Sequence, residues 1–260
     1  MPALRLRKPA LRLRKPAVGM AGRLIGSAAI AAGIAAYGAT TAAWRHSAPA
    51  SRPADPLALE HSAQVALTGQ SNATLAVVSG AATVTVTAAP MPGSLIRAWT
   101  PDNSGVRPQL VSAAGRIQLF LADTGQHGPS AVSIELSNAV AWQFQFGGGT
   151  GQTVLNLANA KISGVDITAG SSLIQLTLPR PAGTVPITLS SGAGQVDLAV
   201  PGGVATQLRL DGGASTATIG GRAHVGLAKG TVLSSPGWAR AVSRYYVDAT
   251  GGIGNISVTG

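Results

Sequence analysis

The stretch Ile174-Gln-Leu-Thr-Leu-Pro179 recurs 22 residues later as Val196-Asp-Leu-Ala-Val-Pro201. In both copies apolar residues alternate with polar or small ones, which is the pattern of a β-strand with one buried face. A second strand pattern lies between the copies and recurs at nearly the same spacing, in the pairs Val165/Ile167, Ile187/Leu189 and Leu208/Leu210. The C-terminal half of the chain therefore repeats a unit of two strands.

Glycines follow the same spacing, at Gly148, Gly170, Gly192 and Gly213, and then at Gly252 after almost two further periods. A unit of about 21 residues cannot bury its apolar side alone, but a stack of such units can. Coils stacked about 4.8 Å apart pair their backbones and share one continuous core. We therefore predict that residues 61–260 form an all-β domain, a right-handed single-chain β-solenoid.

The alternation also predicts which side chains face the core. We expect the inward residues to be Leu176, Leu178, Ile187, Leu189, Leu198, Val200, Leu208 and Leu210. We expect the outward residues to be Asp166, Gln175, Thr177, Thr188, Asp197 and Arg209. Among the outward residues, Asp166, Thr188 and Arg209 form a ladder of mixed charge, which is typical of a solvated face.

The same residues resemble a known family, the toast-rack or adhesin-like β-solenoid domain of bacterial membrane-anchored envelope proteins. The resemblance lies in the spacing of glycines and aliphatic residues, and it is carried by Trp142–Phe144, Gly148, Val154–Leu157, Leu176–Pro179, Leu198–Pro201 and Tyr245–Val258. It covers residues 140–260 well and 61–139 weakly. It implies a β-solenoid fold, and it implies no catalytic, cofactor or metal residues.

The formal charge of +10 is concentrated at the N-terminus. Residues 1–23 contain seven of the nineteen Lys and Arg residues and no acidic residue. A nucleic-acid-binding domain spreads its positive charge over a folded face and adds aromatic residues for stacking. We therefore expect no nucleic-acid partner, and we expect the tail to lie against an anionic inner leaflet.

An uncharged stretch follows this basic tail. Residues 24–43 are long enough to span a hydrocarbon core of about 30 Å as a helix. The basic excess before this stretch predicts a cytoplasmic N-terminus. We predict four segments: a basic cytoplasmic tail (1–23), one transmembrane helix (24–43), a linker rich in proline (44–60) and the extracytoplasmic domain (61–260).

Two other interpretations of residues 24–43 stay open. Thr41-Ala-Ala43 and Ala48-Pro-Ala50 resemble signal-peptide cleavage sites, so the stretch is alternatively a cleaved signal. It is also compatible with a buried helix of a soluble protein.

Few residues suggest chemistry. The chain has no cysteine, which excludes disulfides, cysteine-ligated metals and thiol catalysis. Gly147–Thr153 lacks the Lys-Ser/Thr of a phosphate-binding loop, so we expect a solenoid corner there. The four histidines (46, 61, 127 and 224) are scattered, and we expect His61 and His127 on the solvated surface. Trp238, Tyr245 and Tyr246 either cap the last coil or form an exposed contact, and we expect capping because an open solenoid end needs its strand edge covered.

Three functions follow from these features, and we expect no catalytic residue, cofactor or metal. The first is a non-enzymatic surface module that binds an envelope protein or polymer along a regular face. The second is an accessory sensor of envelope stress that acts through a membrane partner, since Ser27/Ala31 and Ala29/Gly33 offer small residues four apart for helix packing. The third is an enzyme, which the scattered carboxylates and histidines favour least.

Overall fold

The computed structural model describes residues 61–260 and builds them almost entirely from β-strands. In this part of the chain there are nineteen strands, and the one helical element is the 3-10 turn Trp238–Arg240. The strands are β1 Ser62–Ala66, β2 Asn72–Val77, β3 Ala81–Ala89, β4 Ser94–Trp99, β5 Val106–Ala113, β6 Arg116–Asp123, β7 Ala131–Ser137, β8 Ala141–Phe146, β9 Thr150–Asn156, β10 Lys161–Ile167, β11 Ser171–Thr177, β12 Thr184–Leu189, β13 Ala193–Ala199, β14 Ala205–Leu210, β15 Ala214–Ile219, β16 Arg222–Leu227, β17 Thr231–Ser234, β18 Arg244–Ala249 and β19 Ile253–Thr259. The all-β prediction is confirmed.

The predicted tail, transmembrane helix and linker, residues 1–23, 24–43 and 44–60, lie outside the described residues. Within residues 61–260 no helix is long and apolar enough to cross a membrane.

Two sheets form the walls of the fold. Sheet A has ten strands in the order β1-β4-β7-β3-β9-β11-β13-β19-β15-β16, and sheet B has nine in the order β17-β14-β18-β12-β10-β8-β2-β6-β5. Strands in the middle of each sheet are parallel, whereas the strands at the ends are antiparallel to their neighbours. In the middle the chain passes from one sheet to the other and back, which is the arrangement of a β-solenoid. Its right-handedness stays a prediction.

We use the word coil for a strand of sheet B together with the sheet A strand that follows it. Numbered in chain order, the coils are coil 1 (β2–β3), coil 2 (β6–β7), coil 3 (β8–β9), coil 4 (β10–β11), coil 5 (β12–β13), coil 6 (β14–β15) and coil 7 (β18–β19). Leu176 of coil 4 lies opposite Leu198 of coil 5, and Val165 lies opposite Ile187. The 22-residue spacing in the sequence is thus the register of the stack.

Coils near both ends are stacked out of chain order. The order of the strands in the sheets places the coils as 2-1-3-4-5-7-6. We expected Leu208 and Leu210 to stack directly on Ile187 and Leu189, and this expectation is wrong. Coil 7 lies between them, and its residues Val247 and Ala249 pair with both sides.

The outer side of coil 6 is already covered by antiparallel strands, which explains this order. Gly220 and Gly221 have φ angles of 58° and 75° and form a tight turn that folds β16 back along β15. Glycine pairs favour such turns because both positions need positive φ. Strand β17 covers β14 in the same way. The outer edges of β14 and β15 are therefore occupied, and coil 7 pairs with the opposite edges of these two strands.

The core lies between the two sheets, and the predicted inward residues occupy it. Leu176, Leu178, Ile187, Leu189, Leu198, Leu208 and Leu210 are buried, and Val200 is partly buried. Strand β8 adds three large side chains to this aliphatic core: Trp142, Phe144 and Phe146 are buried and stacked, with ring centroids 6.3 and 6.4 Å apart. The Trp142 indole N–H donates to the carbonyl oxygen of Ser137 at 2.9 Å, so its one polar atom is satisfied.

The glycines form a corner at which successive coils approach closely. The carbonyl oxygens of Gly149, Gly170, Gly192 and Gly252 each accept a hydrogen bond from the first strand residue of the adjacent coil, at 3.1–3.4 Å. A Cβ on Gly148 would lie 2.2 Å from the backbone of Ser79 in the adjacent coil. Gly147–Gly149 therefore form a solenoid corner, as expected, whereas residues 150–153 of the same stretch begin strand β9.

Candidate functional site

The outer face of sheet A carries three rows of mainly polar side chains in register, two of them across six strands and one across five. The rows are Thr83-Gln152-Leu173-Gln195-Asn255-Thr216, Thr85-Val154-Gln175-Asp197-Ser257-Thr218 and Thr87-Asn156-Thr177-Ala199-Thr259. We call these residues the polar face. Successive side chains in a row are about 4.8 Å apart, the spacing of neighbouring strands. Asp197 is the one charged residue among them.

Asp197 is held in place by its neighbours on the polar face. Its two carboxylate oxygens accept hydrogen bonds from the Gln195 amide at 2.7 Å and from the Ser257 hydroxyl at 2.8 Å. In the neighbouring row, the Thr216 hydroxyl donates a hydrogen bond to the side-chain oxygen of Asn255. Gln175 lies next to Asp197 in its row and is exposed. The face thus offers oriented hydroxyl, amide and carboxylate groups with little net charge.

The outer face of sheet B, which we call the charged face, is different. One of its rows is Gln118-Ala76-Gln145-Asp166-Thr188-Asp248-Arg209. The predicted ladder of Asp166, Thr188 and Arg209 is therefore wrong in one respect, because the inserted coil 7 places Asp248 between Thr188 and Arg209. Arg209 pairs with Asp211 at 2.9 Å, and that carboxylate raises the pKa of the guanidinium.

A shallow groove of about 430 Å³ lies on the charged face. It crosses β2 and β8 between Arg116 on β6 and Asp166 on β10, and its floor is formed by small residues such as Ala76 and Gly147. The Asp166 carboxylate accepts a hydrogen bond from Gln143 at 3.2 Å. The groove therefore presents a cationic group at one end and an anionic group at the other.

The three aromatic residues expected to cap the stack, Trp238, Tyr245 and Tyr246, lie elsewhere, one in the core and two on the charged face. Tyr245 is completely buried in coil 7, and its hydroxyl donates to the carbonyl oxygen of Pro179 at 2.6 Å. Trp238 and Tyr246 lie together on the charged face, with ring centroids 6.5 Å apart, and the guanidinium of Arg244 lies 4.5 Å from the Trp238 ring centroid. The capping prediction is wrong, because β16 and β17 cover that end of the stack.

Burial of Tyr245 raises the pKa of its phenol. The folded state holds the phenol neutral, so the contribution of this group to stability is complete below the ordinary tyrosine pKa of about 10 and is lost as pH rises above it. We expect the free energy of unfolding to fall more steeply between about pH 9 and pH 11 in the native protein than in the Tyr245→Phe variant. Denaturant titrations at several pH values measure this.

Tyr246, a half-buried neighbour on the charged face, provides the control. Tyr246→Phe should keep the steep pH dependence of the native protein. Equal slopes for the native protein and Tyr245→Phe would contradict the role assigned to Tyr245.

The histidines do not form a site. His127 is exposed as expected, and His61 is half-buried, with its Nδ1 3.0 Å from the Thr100 hydroxyl, so it lies only partly on the solvated surface. His224 lies in the edge strand β16, and His46 falls outside the described residues. Across residues 61–260 no three His, Cys, Asp or Glu side chains are grouped closely enough to hold a metal ion.

These features define a stacked β-solenoid domain with two regular outer faces. Residues 117–199 match the family model Toast_rack_N, the N-terminal domain of toast_rack, DUF2154. The resemblance to the toast-rack domain is therefore confirmed. The matched residues run from strand β6 to strand β13, which are coils 2 to 5. No curated protein sequence matches the chain.

One solved structure shows the same fold. A candidate cell adhesion protein from Clostridium sporogenes ATCC 15579 is 12% identical, and the match covers 76% of this chain and 96% of that protein, with a TM-score of 0.56. A candidate adhesin from Bacteroides fragilis NCTC 9343 is 10% identical with the same coverage of both chains, and its TM-score is 0.26. At 12% identity, the similarity to the protein from Clostridium sporogenes shows a common fold and nothing more.

Proposed function

We propose that the protein is a non-enzymatic surface module of the cell envelope that binds an extended polymer along the polar face. The observation that carries this proposal is the register of the three rows, which together place at least one hydroxyl or amide group on each of six coils. The adhesion role attributed to the structural neighbour from Clostridium sporogenes supports the same class of function.

The polar face suits a long, weakly charged ligand for two physical reasons. Uncharged hydroxyl and amide groups cost less to desolvate than ions, so they can exchange water for ligand at a small penalty. A polymer with regularly spaced hydroxyl groups can also make the same weak contact at coil after coil, and many such contacts add up to useful affinity. The Asp197 carboxylate is held in one orientation by Gln195 and Ser257. It is therefore a fixed acceptor for hydrogen-bond donors of the polymer.

We also propose where the domain acts. Residues 24–43 anchor the chain in the membrane as a single pass, and the basic residues 1–23 stay in the cytoplasm against the anionic leaflet. The domain then faces the outside of the membrane. The charge distribution of the N-terminus supports this arrangement.

The second candidate is a sensor of envelope stress that acts through a membrane partner. It is favoured by the small residues Ser27/Ala31 and Ala29/Gly33, which would let a second helix approach closely. Crosslinking in membranes separates the two functions. A specific crosslink from residues 24–43 to another membrane helix supports sensing, and crosslinks confined to the polar face support surface binding.

The polar face is tested by adding a charge at its centre. Gln175→Arg places a long cation among the rows, and we expect it to weaken binding of the full-length protein to isolated cell-wall polysaccharide by about tenfold, or 1.4 kcal/mol. Cosedimentation with the insoluble polymer measures the affinity. Gln118→Arg makes the same change on the charged face and should leave binding unchanged.

Equal losses in the two variants would exclude the polar face as the binding surface. Turnover of the polymer that is lost on replacing Asp197 by asparagine would overturn the non-enzymatic assignment.

A further inference from the structure

Coil 7 follows coil 6 along the chain, yet it lies between coils 5 and 6 in the stack. Strand β18 pairs in parallel with β12 on one side and with β14 on the other, each time from Arg244 to Ala249. Strand β19 lies in the same way between β13 and β15. Coils 5 and 6 therefore form the two walls of a slot, and coil 7 fills it.

The two walls of the slot are alike. Ile187 and Leu208 both lie opposite Val247, and Leu189 and Leu210 both lie opposite Ala249. The strand pairs that hold coil 7 are all made with coils 5 and 6, and none is made with the segment that connects coil 7 to the rest of the chain. Coil 7 of a second copy would make the same contacts, because the pairs and the buried residues are identical.

The connection to coil 7 is long enough to let it leave its own slot. Residues 235–243 pass over the end of β14, from β17 on one side of it to β18 on the other. That path spans two strand spacings, about 10 Å, whereas a segment of this length reaches about 30 Å when extended. Val242 in this connection is 84% exposed, whereas the two ends of the connection are hydrogen-bonded to the fold, Ser235 to Thr206 and Ser243 to the Gly183 N–H.

A small cluster holds the connection down. The Arg244 guanidinium lies over the Trp238 ring and donates to the Trp238 carbonyl oxygen at 3.2 Å, and Tyr246 lies beside the same ring. Trp238 belongs to the connection, and its two partners belong to coil 7. We call these three residues the latch. Opening the latch removes the aromatic contacts that hold the connection and leaves the strand pairs of coil 7 unchanged.

We propose that coil 7 is exchangeable and that its partner is a second copy of this chain. In the exchanged form, coil 7 of each molecule fills the slot of the other, which gives a closed two-fold dimer. Both forms contain the same strand pairs, so their balance depends on protein concentration and on the freedom of residues 235–243. The latch favours the monomer.

Single cysteines test this, because the chain has none of its own. Thr218 on β15 and Ser257 on β19 lie opposite each other and are partly exposed. Full-length Thr218→Cys and Ser257→Cys proteins are mixed, concentrated, warmed to the onset of unfolding, cooled and oxidised with oxidised glutathione. We expect a disulfide-linked heterodimer of the two variants, seen on a non-reducing gel and by mass.

A mixture of Thr218→Cys with Thr177→Cys is the control for random collisions. Thr177 lies on the same face but on β11, away from β15 in both forms. The first mixture should give at least fivefold more heterodimer than the control. Equal yields in the two mixtures, or no heterodimer in either, would overturn the proposal.

The latch gives a second, independent readout. Adding Trp238→Ala to both cysteine variants should raise the yield of heterodimer severalfold, whereas adding Trp99→Ala, which changes an exposed tryptophan of β4, should not. An unchanged yield with Trp238→Ala would overturn the role of the latch. Size-exclusion chromatography of the native protein after the same warming should show a dimer peak that grows with concentration.

Discussion

Replacing Trp142 by alanine is expected to lower the free energy of unfolding by about 3–5 kcal/mol. Trp142 is fully buried in coil 3, where it stacks on Phe144. Its removal leaves a large cavity in the middle of the stack, and it also leaves the Ser137 carbonyl without its indole donor. Both effects destabilise the fold because neighbouring coils are fixed by their strand pairs and cannot collapse into the space.

Equilibrium unfolding in urea, followed by circular dichroism, measures this loss. The matched control is Trp99→Ala. Trp99 is 40% exposed at the end of β4, so its replacement removes less buried apolar surface and leaves no closed cavity, and it should cost clearly less than Trp142→Ala. Similar losses for the two variants would show that Trp142 does not occupy the core.

The second large effect is expected at the glycine corner. A Cβ on Gly148 would lie 2.2 Å from the backbone carbon and oxygen of Ser79. Backbone atoms cannot rotate away as a side chain can, so coil 3 and coil 1 must move apart. We expect Gly148→Ala to lower the free energy of unfolding by about 3 kcal/mol, at the upper end of overpacking effects.

Gly202 is the control for this change, because nothing lies within 4 Å of a Cβ built there. Gly202→Ala should leave the thermal unfolding midpoint within a degree or two of the native protein. A midpoint for Gly148→Ala equal to that of Gly202→Ala would contradict the close approach of the two coils.

The sequence predicts the middle of the stack well because the coils there follow one another in chain order. Leu176 and Leu198 are 22 residues apart and lie in adjacent coils. At the C-terminal end the same spacing predicts the wrong neighbours for Leu208, since a repeat contains no information about which coil pairs with which. The signal that could have shown this is Gly220-Gly221, a hairpin pair that turns the chain back over the outer edge.

The polar face was predictable residue by residue, but its extent was not. Alternation around Gln175 and Asp197 shows that both face outward. It does not show that Ser257 comes to lie beside Asp197, because that contact depends on where coil 7 is inserted. For the same reason Tyr245 is a core residue rather than a cap, since coil 7 lies within the stack.

Disulfide trapping tests the order of the coils most directly. The double variant Thr188→Cys/Asp248→Cys places cysteines on adjacent strands about 4.8 Å apart, within the range that a disulfide spans. The variant Thr188→Cys/Arg209→Cys places them about 10 Å apart, which is too far. We predict that mild oxidation closes a disulfide within the first variant and leaves two free thiols in the second. A disulfide that forms readily in the second variant and not in the first would show that coil 6 stacks directly on coil 5, and would contradict the insertion of coil 7.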